Sequence, residues 1–259
     1  LKSVKGFEQE VDLNGVVAEM SKPQGDAKFS VLDMRSSSPL VDVNLLFYTG
    51  AAADPEGKKG LAAITANMIA RGGSESRSYK EIQKALYPIA GSFGVQIDKE
   101  MVSFRGRVNK DKVDEWYKIV SDQLLNPGWR EDDFKRLKKE QLDGIKAGLK
   151  ASNDEELGKE VLYSKLYQGH AYESYNYGDI SDLEALTLED LKAFYKAEFT
   201  QAKLNVGISG AMSDAAKARL LKDLSTLPEG SEKRLTVADA PKLEAVSYTH
   251  LTLPTRRGG

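Results

Sequence analysis

Reactive side chains are scarce in this 259-residue chain, which has no cysteine and only two histidines, His170 and His250. Without cysteine there is no disulfide, thiolate nucleophile or thiolate metal site. A catalytic zinc takes about three protein ligands plus an open position for water, so two histidines far apart in sequence do not suggest one. Ser36-Ser37-Ser38 lies in a loop with no histidine base near it, which leaves a serine nucleophile unsupported. Glu131-Asp132-Asp133 groups three carboxylates, but acids in the first turn of a helix complement its dipole, and the run is read that way. Tyr163, Tyr167, Tyr172, Tyr175 and Tyr177 are explained by packing and hydrogen bonding at a helix end rather than by a ligand cage.

The elements that would position such groups follow from periodicity and punctuation. Leu13 to Met20, Phe29 to Met34 and Val41 to Tyr48 alternate and are rich in β-branched and aromatic residues, which predicts strands neighbouring one another in a sheet. Turn chemistry at Asp54-Pro55-Glu56-Gly57 precedes a helix from near Gly60 to Gly72-Gly73, with Leu61, Ile64, Met68 and Ile69 as its core stripe and Ala63, Ala66 and Asn67 on a different face. Ser78 to Glu81 is a capping box for a second helix ending at Pro88, and Phe93 to Ile97 with Met101 to Val108 reads as a hairpin. Asn109 caps a helix through Leu125. Helices are then expected from Glu131 to about Ala151 and from Asp154 to Leu166. A helix Leu191 to Phe199 opens from a capping box at Thr187, a strand covers Leu204 to Ser209, and a last helix covers Ser213 to Leu224. Strands, a helical block, then a strand and a helix describe an α+β fold rather than a doubly wound parallel sheet.

Composition excludes several partners. Hydrophobic residues make up 41% of the chain, enough for a core, and the 37 basic and 39 acidic residues form no long run of one sign. No basic stripe points to nucleic acid, and no apolar stretch approaches the roughly 20 residues that span a bilayer. The expectation is a soluble globule. With Leu1 in first position, the N-terminus is read as processed or clipped, and the compartment is left open, with the periplasm or cell envelope slightly favoured for a bacterial source.

Seven local signatures occur in an order that resembles the N-terminal domain of the pitrilysin, insulinase and mitochondrial processing peptidase family. They are Leu13-Asn14-Gly15-Val16, Phe47 to Asp54, Gly60-Leu61-Ala62, Phe134 with Arg136, His170-Ala171-Tyr172, the Thr187 helix, and Gly207 to Gly210. The resemblance implies an α/β roll, a twisted and mostly antiparallel sheet with helices packed on one face. It also implies a family unit about twice this length, in which two such domains form half of a clamshell.

In that family the helix beginning at Gly60 carries the inverted zinc motif H-x-x-E-H. The corresponding positions here are Ala63, Ala66 and Asn67, and the third ligand falls by gap-free spacing on Asp143. No catalytic residue and no metal ligand is therefore expected in this chain; zinc is expected only in a catalytic partner. The resemblance further implies that an extended peptide adds to the edge strand after the second helix, here Gly94, Val95 and Gln96. Such main-chain pairing depends little on side chains and can outlive a metal.

Residues 1–12 are read as a lead-in, 13–230 as the peptidase-like domain and 231–245 as the start of an interdomain linker. Residues 246–259 contain Val246-Ser-Tyr-Thr-His-Leu-Thr-Leu-Pro-Thr255, which resembles a translated sequencing adapter and is set aside as an artefact. The natural chain is expected to continue past Ala245 into a second, similar domain. The resulting expectation is a non-catalytic subunit, or half of a fused chain, of a zinc metallopeptidase, supporting peptide binding and chamber closure for a catalytic partner. The alternative is a structural or assembly protein of a larger complex with no peptidase role.

Overall fold

The computed structural model describes residues 28–230 and 237–241. The predicted strand Leu13 to Met20, the lead-in, most of the linker and the adapter-like tail lie outside the described residues. Five strands form one mixed sheet: β1 (Ser30–Arg35), β2 (Leu40–Phe47), β3 (Ser92–Ile97), β4 (Val102–Asn109) and β5 (Leu204–Gly210). Their spatial order is β1-β5-β2-β4-β3, with β1 and β5 parallel and every other pair antiparallel. The expectation that the strands at residues 29–34 and 41–48 are neighbours is corrected here, because β5 inserts between them. Local patterning sets which face of a strand is buried, not which distant strand pairs with it.

The alternation is visible in β2, where Val41, Val43, Leu45 and Phe47 are buried and the residues between them keep some exposure. The helices cover that buried face. They are α1 (Leu61–Arg71), α2 (Tyr79–Leu86), α3 (Val113–Leu125), α4 (Glu131–Asp143), α5 (Asp154–Leu166), α6 (Ile180–Ala185), α7 (Leu188–Glu198) and α8 (Asp214–Leu224). Capping boxes at Ser78 and Thr187 start α2 and α7, and Asn153 accepts the Glu156 N–H to start α5. The helix expected to run straight to Ala151 instead passes at Gly144–Leu149 through a π-helical stretch. The short α6, capped by Asp179, has no counterpart in the sequence-based expectation.

The core is centred on Phe47, Phe104 and Phe199. Phe47 meets Phe199 edge to face at 5.1 Å and Phe104 at 6.1 Å. Helix α1 packs among β3, α4 and α7 and is buried nearly all round; only Asn67 and Arg71 keep any exposure. The two-faced reading of this helix therefore needs correction, since Ala63 and Ala66 are fully buried members of the core. Alanine is too small to announce its side in a periodicity pattern.

Trp116 of α3 packs directly over Gly106 of β4 and donates its indole N–H to the Ser92 carbonyl at 2.9 Å. A Cβ on Gly106 would fall inside the van der Waals surface of the indole ring. Gly106→Ala is expected to destabilise the domain by about 1–3 kcal/mol. Each kcal/mol lost should lower the melting temperature by roughly 2–4 °C, readable by circular dichroism. Unchanged melting would contradict this packing. Among the described residues no helix is long and apolar enough to cross a membrane.

Candidate functional site

A cleft of about 350 Å³ opens where α1, β3 and α4 converge. Helix α1 supplies Asn67 and Arg71, β3 supplies Val95 and Ile97, and α4 with its continuation supplies Leu137, Glu140, Gln141, Gly144 and Ile145. Tyr175 and Tyr177 close it from the loop before α6.

Two anchors fix the start of α1 beside this cleft. The Asp54 carboxylate accepts the N–H groups of Gly60 and Ala62, each at 2.7 Å, satisfying donors that the first turn leaves unpaired. Burial pushes this carboxyl up to about 7, against the lowering effect of those backbone donors. Gly178, with φ +81°, lies against the main chain of Lys59 and Gly60, where a side chain would collide.

The tyrosine wall is braced from several sides. Gln141 Nε2 donates to the Tyr177 carbonyl at 2.8 Å and to that of Gly60 at 3.3 Å, joining the loop, α4 and α1. Lys99 donates to the Ser174 carbonyl, and the Tyr172 hydroxyl donates to Glu100. Bonding to Glu100 pushes the Tyr172 hydroxyl up to about 12, while burial holds the Lys99 ammonium below its ordinary value. His170 stands outside the cleft lining. Its Nδ1 accepts the Tyr172 N–H at 3.1 Å, which places the proton on Nε2, and Nε2 donates to the Ala238 carbonyl at 2.8 Å.

The positions singled out in the sequence are dispersed. Ala63 and Ala66 are in the core, and Asn67 reaches the cleft but donates Nδ2 to the Ala63 carbonyl at 3.0 Å. Asp143 is exposed, pairs with Lys139 and does not line the cleft. The acid that faces α1 is Glu140, which gap-free counting passed over. Helical periodicity could have found it: at 100° per residue, residues three, four and seven beyond the buried Leu137 share its side, whereas the sixth lies well off it.

Glu140 is not free to bind a cation. Arg71 contacts one oxygen at 2.6 Å and Arg136 the other at 3.0 Å; Arg136 also reaches Asp133 at 2.9 Å. Partial burial raises the Glu140 carboxyl, but the two guanidinium bonds outweigh it and hold it below the ordinary value. A zinc ion does not fit this donor set. Two positions have no donor, the amide is turned onto its own helix, and the acid is doubly paired. Among the described residues no three His, Cys, Asp or Glu side chains are grouped to hold a metal.

Gly94, Val95 and Gln96 lie on β3 at the edge of the sheet, and of the three only Val95 lines the cleft. Gly94 and Gln96 are exposed.

Comparison with known proteins agrees with this architecture. The sequence profile described as Insulinase (Peptidase family M16) matches residues 31–179, more than half of the chain. The mitochondrial-processing peptidase subunit beta of Dictyostelium discoideum is 20% identical over 232 residues, 86% of this chain and 49% of that protein. The chain thus spans about half the length of this curated relative. Among solved structures, a peptidase M16 inactive domain from Pseudomonas fluorescens superposes with a TM-score of 0.76 at 21% identity, covering 85% of this chain and 53% of that one. A protease from Helicobacter pylori gives 0.69 at 15% identity, covering 85% and 52%. A chain of Complex III2 from Candida albicans gives 0.66 at 16%, covering 82% and 48%.

Proposed function

This chain belongs to the insulinase family of peptidases, M16, and on that premise we propose that it is the non-catalytic subunit, or non-catalytic half, of a zinc metallopeptidase. The observation that carries the reading is the cleft itself: α1, α4 and β3 still enclose a space open to solvent, while the motif positions carry Ala63, Ala66 and Asn67. The likeness in fold to a domain described as inactive supports it.

In this role the chain binds and orients polypeptide and closes the chamber, while a partner bearing H-x-x-E-H supplies the zinc-activated water. Orientation and exclusion of bulk water need only shape and main-chain hydrogen bonds, so a domain without ligands can provide them. The edge of β3, which pairs with β4 alone among the described residues, is suited to the first task, because an extended segment can pair with it through backbone groups alone.

The test is reconstitution. The natural full-length protein, purified alone and mixed with an H-x-x-E-H partner, is expected to show chelator-sensitive peptide cleavage only in the mixture. Chelator-sensitive cleavage by the isolated protein would overturn the reading. The likeness to a chain of Complex III2 supports the second reading, an assembly protein without a peptidase role. A stable complex that lacks any H-x-x-E-H subunit would favour it.

A further inference from the structure

The turn between β3 and β4 holds the loop that follows α5 with three side chains in succession. Asp98 accepts the Asn176 Nδ2 at 3.4 Å, the Lys99 ammonium donates to the Ser174 carbonyl, and Glu100 accepts the Tyr172 hydroxyl. Consecutive residues of the turn therefore grip every second residue of the loop. Glu160 of α5 attracts the same Lys99 ammonium, so the turn holds the helix as well.

What these contacts hold has little other attachment. Among the described residues α5 buries no side chain, and Val161, Leu162 and Tyr163 are exposed. A helix without a buried face draws little stability from the core and falls at the low end of local stability. Both of its ends are permissive. Before it, the chain passes through the π-helical stretch Gly144–Leu149 and leaves helical geometry at Asn153. Among the described residues, a Cβ on Gly144 or Gly148 would meet nothing within 4 Å beyond its own helix. Close packing thus does not call for glycine there, and backbone freedom is what it supplies. After α5, Gly169 and Gly178 both have positive φ.

Residues 237–241, downstream of the last helix, touch the same loop. His170 donates Nε2 to the Ala238 carbonyl at 2.8 Å, and its ring lies 5.4 Å from that of Tyr167 and 5.0 Å from that of Tyr172. Tyr172 is itself the residue held by Glu100. One side chain thus joins the downstream segment to the contacts of the turn.

We propose that α5 and the loop 167–179 form a hinged flap, latched by Asp98, Lys99 and Glu100 and strapped by residues 237–241 through His170. Gly144–Leu149 is the hinge. Opening carries Tyr175 and Tyr177 away from the cleft, so the seating of the downstream segment governs access to it. The device is independent of any peptidase role.

Hydrogen–deuterium exchange of the natural full-length protein, read peptide by peptide by mass spectrometry, tests this. Residues 150–179 are expected to exchange as a unit, well before α1 and α7. Lys99→Met should speed exchange across that whole span about tenfold, the loss of one charged hydrogen bond, while α1 and α7 stay protected and report an intact fold. His170→Ala should loosen both the span and residues 237–241. By reciprocity, Lys99→Met should loosen 237–241 too. Gly144→Ala with Gly148→Ala should act in the opposite direction, slowing exchange of the span roughly fivefold or more by stiffening the hinge. Exchange of 150–179 no faster than that of α1 overturns the flap, and a Lys99→Met effect confined to the turn overturns the latch. Unchanged exchange of the span in His170→Ala overturns the strap, and faster exchange in the glycine double variant overturns the hinge.

Discussion

Writing the zinc motif back into the first helix, as Ala63→His, Ala66→Glu and Asn67→His together, is expected to unfold the domain rather than to create a metal site. Ala63 and Ala66 are fully buried in a packed core, so each added side chain must displace neighbours, at about 1–3 kcal/mol apiece. The glutamate also brings an unpaired carboxylate into that core, a penalty of several kcal/mol more. Against a total stability of about 5–15 kcal/mol the sum is large enough to abolish cooperative folding. Asn67→His alone, at a position that keeps some exposure beside the cleft, should shift stability by less than about 1 kcal/mol. Circular dichroism melts of the triple and single variants, with calorimetric zinc titration, read both effects. A folded triple variant that takes up one zinc ion would show that the core yields where it looks closed.

Asp54→Ala is expected to destabilise the domain strongly although the side chain lies outside its hydrophobic core. It leaves the Gly60 and Ala62 N–H groups without their acceptor in a buried setting, at about 1–3 kcal/mol. The effect should also depend on pH in a definite direction. Burial raises the folded carboxyl to about 7, whereas the unfolded one titrates near 4, so between those values the folded state binds more protons than the unfolded state. By linkage, this group's contribution is then largest below pH 4 and declines as pH rises through 7. The stability gap between the natural protein and Asp54→Ala should accordingly be wider at pH 5 than at pH 8, as measured by urea unfolding. A gap that widens toward pH 8 would mean that the backbone donors, not burial, dominate this carboxylate.

Local chemistry was the most legible part of this fold. Ser78, Asn109 and Thr187 each announced a helical start by side-chain type and spacing, and the structure shows all three bonded as caps. Strand positions followed from alternation, but their order did not. Placing β5 between β1 and β2 depends on pairing across more than 150 residues, which no local window contains. The acid beside the cleft was less legible than the caps. Counting forward to Asp143 assumed an unbroken spacing, whereas the helix turns Glu140 toward the cleft. The burial of Ala63 and Ala66 was hidden because small residues carry almost no periodic signal.

The paired arrangement of Arg71, Glu140 and Arg136 also bears on how this protein can change. Each guanidinium neutralises the acid, so removing either one exposes a carboxylate to its remaining surroundings, while keeping both denies that carboxylate to a metal. The motif positions across the cleft are equally bound to their present occupants by packing. Writing the motif back and freeing Glu140 would therefore take several coordinated substitutions. The ion pairs thus act as a ratchet against assembling a metal site in this cleft.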